Sequence, residues 1–371
     1  MMKNRDHRNC IVTMPLGKSG VIPFSNLVNI VNKLSDELYL VTGGEGYDIF
    51  KNDEKIHVDK ITHQNHSNLI MRIISNIKLQ VTISRLLFQH RNNYNSVILF
   101  IGGESLILPS ITVKILKKDL KIILAGFPMK IGKIKKDPLT KITGYLSNVV
   151  FFFSDKIIVY SNRIVIERRL QKYNKKIGVT SEHFIDLNTF KMMKPTYQRK
   201  LIGYVGTLSE LKGVKNLIQA IEILGRDDLK FIFIGDGPLF DEMEEYINAN
   251  SLNKKVMLKG WVSHDELPHY LNEFKLLVLP SYTEGLPNVL IEAMACGTPV
   301  LATNVGAIPD IIKDAETGFI IEKNVPHRIA KDINRVLEYE KIGNIISNAY
   351  NLIENNFTYS KVEEKWDQIL E

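Results

Sequence analysis

Residues Leu276–Thr303 read LLVLPSYTEGLPNVLIEAMACGTPVLAT. The stretch opens on an apolar run, LLVLPS, passes through a turn containing glycine and proline, and continues into NVLIEAMAC and a second apolar run, PVLAT. The outer pieces lack polar alternation, the pattern of strands buried on both faces. The middle piece suits a helix of roughly two to three turns. Pro287 favours its first turn and Gly297 is a natural stop, so the helix is expected to begin near Pro287 or Asn288. Strand, helix, strand in this order is the unit of a parallel sheet.

The alternation extends both ways. Upstream lie LIGYVG, VKNLIQAIEIL, LKFIFIG, FDEMEEYINAN, VMLKGW and HDELPHYLNEF; downstream lie IPDIIKD and GFIIE. Leu217, Ile221 and Leu224 share one helical face. The first half repeats the theme with five strand-like runs, CIVTM, LYLVTG, SVILFIG, KIILAG and KIIVYS. FSNLVNIVNKL, LPSITVKILKK and RIVIERRLQKY are the helices expected between them. Several of the strands end in glycine, which lets a ligand approach the backbone beyond a strand's carboxyl end. The polar MMKPTYQRK, Met192–Lys200, marks a break.

The fold class expected is therefore α/β, with two doubly wound Rossmann-like domains whose parallel sheets face a central cleft. The first domain is expected to cover 1–195 and the second 196–355. A terminal amphipathic helix, 356–371, is expected to pack back on the body.

A chain of 371 residues is too long for one ordinary core. Its 44% apolar and 24% charged content is that of a globular protein. No apolar stretch approaches the roughly 20 residues of a membrane helix, and MMKNRDHRNCIVTM reaches a strand without a signal-peptide core. Cys10 and Cys296 are too few for a disulfide framework. The expected location is cytoplasmic.

The net charge of +7 is matched by one segment, Lys114–Lys141, where nine lysines face Asp119 and Asp137. Two readings stand: a solvated lysine face, or attraction to an anionic phospholipid leaflet on the inner side of a membrane. Nucleic acid is not expected, because few aromatics interleave these lysines to stack on bases.

MPLGKSG ends in Gly-Lys-Ser, but a phosphate loop needs glycine where Val12 stands. A glycine turn after the first strand, with Gly17 and Gly20, fits better. FIGDGPLF has Gly235 and Gly237, yet Phe240 occupies the third fingerprint position, so a tight strand-to-helix turn explains it. His264 and His269 have the wrong spacing for two metal ligands on one helix face, and no metal is expected.

The helix start at Pro287 offers backbone N–H groups to an anion such as a diphosphate. Glu284, just before it, would repel that anion unless it meets something polar and uncharged, and sugar hydroxyls qualify. Glu292 could accept from a second diol such as a ribose; the plainer reading is an exposed helix glutamate. In YVGTLSELKG, Lys212 and Gly213 follow the second domain's first strand, where a lysine can neutralise the same diphosphate.

At these residues the chain resembles the family-4 retaining glycosyltransferases of the two-domain GT-B fold. EGLPNVLIEAMACGTPVLATNVGAIPDII, followed by ETGFII, resembles the family's donor-site signature. YVGTLSELKG, FIGDGP and VMLKGWVSHDEL precede it in the expected order. SDKIIVYS and SEHFIDLNTF resemble the closing elements of the N-terminal domain. The resemblance covers nearly the whole chain and is close from about Leu201 to Ile321.

The resemblance implies that Glu284 binds donor-sugar hydroxyls and Glu292 the nucleotide ribose. The backbone at Pro287, Asn288 and Val289 would hold the diphosphate and Lys212 would contact the phosphates, with Gly206, Thr207, Gly285 and Leu286 also in the donor site. Trp261 and Val262 would lie by the base, and Gly17 and Gly20 near the reacting sugar. Glu284 and Lys212 are the catalytic candidates. Two departures stand out: Thr207 replaces a common arginine, and GFPMK lacks a histidine found in many members.

The implied reaction moves a sugar from a nucleotide-diphosphate donor to an acceptor hydroxyl with retention. It needs neither cofactor nor metal and serves glycan, polysaccharide or glycolipid synthesis. The acceptor would be a glycan or a lipid-linked molecule. A nucleotide-sugar epimerase of the same fold and a non-catalytic nucleotide-sugar binder are the alternatives. A glycoside hydrolase would need two carboxyls flanking one bond.

Overall fold

All six strands expected in the second half form, and all pair in parallel. A computed structural model describes residues 7–64, 66, 68–124 and 138–370. GFPMK and much of the lysine-rich run lie outside these residues. The chain divides into two units, one running to His183 and rejoined from Glu363 onward, the other Phe184–Val362.

The first unit carries β1 (Arg8–Val12), β2 (Glu37–Thr42), β3 (Ile56–Lys60), β4 (Ser96–Leu99), β5 (Asp119–Leu124), β6 (Lys156–Val159) and β7 (Ile177–Val179). Their order is β3-β2-β1-β4-β5-β6-β7. The second carries β8 (Leu201–Val205), β9 (Lys230–Ile234), β10 (Val256–Gly260), β11 (Phe274–Leu279), β12 (Val300–Thr303) and β13 (Phe319–Ile321), ordered β10-β9-β8-β11-β12-β13. Each unit is thus a doubly wound parallel sheet, as the sequence implied. Central strands are buried on both faces: Cys10, Ile11 and Val12 are inaccessible, as are Leu276, Leu277 and Val278.

Several elements were not legible in the sequence. β3, IHVDK, lies at the sheet edge with one face open, so its polar residues hide the strand pattern. β7 is only three residues long. The helix Leu69–Gln89 is rich in isoleucine, which favours strands, yet it forms 21 residues of helix capped by the Asn68 side chain. The helices Pro138–Phe153, Pro326–Leu337 and Ile342–Asn356 were likewise unread. RIVIERRLQKY is helical only over Asn162–Glu167, because Arg169 turns to φ +55° and a 3-10 turn follows over Gln171–Lys176. HDELPHYLNEF contracts to Leu267–Glu273, since Phe274 already begins β11.

Residues 184–200 fold with the second unit despite their polarity. Arg199 is 2% exposed. Its guanidinium donates to Lys194 O, Cys296 O and Thr298 Oγ1 at 2.8, 2.8 and 2.7 Å. A cation is well placed there, because Cys296 O closes the carboxyl end of a helix. The last helix, Tyr359–Leu370, buries Trp366 completely, and its indole N–H donates to Ser181 O at 3.0 Å.

Candidate functional site

β8 lies between β9 and β11, so the chain builds outward from β8 on one side and returns through β11 on the other. The loops after these two strands part at the topological switch point, where ligands of open parallel sheets bind. Lys212 lies on the loop after β8, in a 3-10 turn Glu210–Lys212, and Glu284 on the loop after β11. Tyr282 N donates to Leu211 O at 2.9 Å and ties the loops together. Gly213 makes the contact possible: at φ +67°, an added Cβ would stand 2.1 Å from Pro280 O.

The two charged residues then meet. Lys212 Nζ lies 2.6 Å from Glu284 Oε1, and Ser281 Oγ donates to the same oxygen at 2.6 Å. The Glu284 side chain is 9% exposed and Lys212 29%. The sequence reading had them facing different parts of one ligand; here the ammonium and the carboxylate also face each other. Burial, and secondarily the Glu284 charge, push the nearby Tyr204 phenol well up. Its hydroxyl donates to Thr207 O at 2.9 Å, leaving the Thr207 side chain at the exposed rim beside Gly206.

The helix Asn288–Ala295 begins where the proline suggested. Pro287 is its N-cap, extended at φ −73° and ψ 126°, with no side-chain cap and no acidic residue in the first turn. Its N-terminal backbone dipoles are therefore not offset by a neighbouring carboxylate of the helix itself. Gly297 ends it: Gly297 N donates to Met294 O and Thr298 N to Ala293 O, at 3.1 and 2.8 Å. Leu286 is 6% exposed, and Gly285 O accepts from Ala307 N at 2.9 Å, which fixes the turn before the helix.

Glu292 is not an exposed helix glutamate. It is 5% exposed, with Oε1 2.9 Å from His264 Nε2. That hydrogen bond holds the His264 pKa above its usual 6.5, against the lowering effect of burial. His264 follows β10 and rests against Phe190 at 5.1 Å between ring centroids. Sequence reasoning weighed His264 only as a metal ligand and missed this role. The signal was its place in VMLKGWVSHDEL, just ahead of the signature. Trp261, 75% exposed, and Val262 also follow β10, two strands from β8 at the sheet edge.

In the first unit Gly17 follows β1, beside β4 at that sheet's own switch point. It is exposed, and an added Cβ would meet nothing within 4 Å. The fold itself does not require glycine there. Gly20 caps the helix Val21–Lys33, and its added Cβ would make ordinary contact with Leu16 at 3.4 Å. Gly235 and Gly237 serve the turn after β9, where Leu208 N donates to Asp236 O and Leu239 N to Leu208 O.

Among the described residues, His57, Asp59 and His90 present possible metal-ligand atoms within 4.8 Å of one another. They lie on β3 and at the end of the helix Leu69–Gln89, away from either switch point. A cavity of about 490 Å³ lined by Glu37, Tyr39, Lys55, Ile56, His57 and Asn93 opens beside the starts of β2 and β3. That is the end opposite to the one where ligands of parallel sheets bind, so its size does not make it the better candidate.

Residues 190–352 match the family described as glycosyl transferases group 1. An uncharacterized glycosyltransferase of Methanocaldococcus jannaschii is 33% identical over 158 residues, 43% of this chain and 44% of that protein. The chain thus spans less than half the length of that relative. A 2-deoxystreptamine N-acetyl-D-glucosaminyltransferase of Niallia circulans is 28% identical, covering 68% of this chain and 69% of its own length. Anabaena HepE, solved with UDP, superposes with a TM-score of 0.77 at 19% identity, covering 98% of this chain and 99% of that one. The last likeness concerns the fold, which is that of GT-B glycosyltransferases.

Proposed function

We propose, from the match of residues 190–352 to glycosyl transferases group 1, that the chain transfers a sugar from a nucleotide-diphosphate donor to an acceptor hydroxyl. Transfer proceeds with retention of configuration and without a metal ion, in the synthesis of a glycan, polysaccharide or glycolipid. The observation that carries this reading is the meeting of Lys212 and Glu284 at the β8/β11 switch point, beside an uncapped helix start.

As the glycosidic bond breaks, negative charge grows on the departing diphosphate. Three donors can stabilise it: the Lys212 ammonium, the N–H groups at Asn288 and Val289, and the Thr207 hydroxyl. Fixed donors of this kind are each worth about 10²–10³ in rate. Glu284 holds Lys212 in place and turns toward sugar hydroxyls, which a carboxylate can accept from without repelling the phosphates. Glu292, fixed by His264, accepts from the ribose. Trp261 and Val262 border the base, and Gly17 leaves room beside the first unit's backbone. The acceptor is a glycan or lipid-linked hydroxyl, with the departing phosphate as its base.

The test joins binding to turnover. A saturating nucleoside diphosphate at about 100 times its Kd should stabilise the protein by about 2.7 kcal/mol, read as a rise in melting temperature with UDP or GDP. Lys212→Ala and Glu284→Ala should each lower transfer about 10²-fold or more while the fold survives. EDTA should leave transfer unchanged. Near-normal turnover in both variants would sink the site assignment. Nucleotide binding without sugar transfer or epimerisation would identify a binding protein instead.

A further inference from the structure

The helix Leu69–Gln89 buries Leu79, Ile83 and Leu87 against the first unit. Its opposite face is apolar too. Ile70 is 67% exposed, and Ile74, Ile77, Val81 and Phe88 are 52–55% exposed. At 3.6 residues per turn these five fall within an arc of roughly 60°, a continuous stripe about 27 Å long. Scattered exposed apolar residues need no explanation; a contiguous stripe marks an interaction surface.

Charge indicates what kind. From Leu69 to Arg91 the chain has Arg72, Lys78, Arg85 and Arg91 and no acidic residue. Lys78 and Arg85 are exposed at one edge of the stripe, and the Arg91 guanidinium lies over the Phe88 ring. The neighbouring helix Ile107–Ile115, joined by Leu108 N donating to Gln80 Oε1 at 3.0 Å, adds exposed Leu108 and Ile115, and Lys117 follows it. Two-fold pairing of this face with a second copy would bring like charges together. An anionic surface neutralises them instead. Among the described residues no helix is long and apolar enough to cross a membrane, so this one would lie on it.

We infer that the exposed face of the helix Leu69–Gln89 docks the protein on an anionic phospholipid leaflet, its isoleucines in the acyl boundary and its cations among the headgroups. This rests on the helix alone and not on the transferase reading.

The test is co-sedimentation of the full chain with vesicles at low salt, without donor. Binding is expected to phosphatidylglycerol vesicles and to be much weaker with phosphatidylcholine. Each cation near such a surface is worth about fivefold, so Lys78→Gln/Arg85→Gln should weaken binding roughly 25-fold. Ile74→Glu/Ile77→Glu should weaken it about 100-fold. These positions are exposed, so circular dichroism and melting should match the wild type. No binding to phosphatidylglycerol, equal binding to both lipids, or binding unchanged in the isoleucine variant would each overturn the inference. So would a wild-type dimer that the isoleucine variant dissociates in sedimentation velocity, which would make the face a contact between copies. None of these outcomes touches the measurements on Lys212 and Glu284.

Discussion

Lys212 and Glu284 stand 72 positions apart and touch. Both were singled out from local context, one after a strand and one before a helix, but their ion pair follows from β8 and β11 being neighbours. His264 and Glu292 repeat the lesson. The histidine's pKa is raised by the glutamate, so the pair's contribution to stability is complete below about 6.5 and is lost as pH rises through the raised value. His264 is 45% exposed, so the pair is screened and worth about 1 kcal/mol. His264→Ala should remove that much, together with the matching slope in a pH series of urea midpoints. In the first unit, Glu182 is fully buried, with both carboxyl oxygens 2.5 Å from the Tyr160 hydroxyl. Burial raises it from 4.5 to about 7, so stability should fall as pH rises between those values, by on the order of 3 kcal/mol. Glu182→Gln should flatten that fall.

Among the elements, the helix Asn288–Ala295 was readable at both ends, because proline and glycine act through their own backbone geometry. The loop after β8 was less so. Gly213 and Gly225 both have φ above +60°, and only the first is pressed against another loop. Gly225→Ala should therefore cost about 1 kcal/mol of backbone strain and leave nucleotide binding intact. Gly213→Ala adds a collision with Pro280 O; it should push the two loops apart and abolish the nucleotide-induced rise in melting temperature. Equal behaviour of the two variants would show that the loop contact is not needed for binding. The helix Leu69–Gln89 escaped the reading because its β-branched residues mimic strand composition. Its 3.6-residue period is blurred by carrying an apolar stripe on two faces, one packed inward and one exposed.

For the whole molecule, the chain's end matters to its beginning. Trp366 is completely buried and bonded to Ser181 O, and Lys156 Nζ donates to Ile369 O at 2.9 Å. Trp366→Ala should destabilise the first unit by about 3–5 kcal/mol, read in urea unfolding as an earlier transition. Local pattern alone was enough for the parallel-sheet class of both units, the order of the six strands in the second unit and the ends of the signature helix. Hydrophobic period, proline and glycine act within a few residues and need no distant partner. Packing between distant segments sets the rest: Lys212 meets Glu284, His264 holds Glu292, a polar linker buries Arg199, and one long helix keeps an apolar face outward. Each depends on which segments the sheet order and packing bring side by side, or leave uncovered. Those contacts join positions 28 to 99 residues apart, beyond the reach of any local pattern.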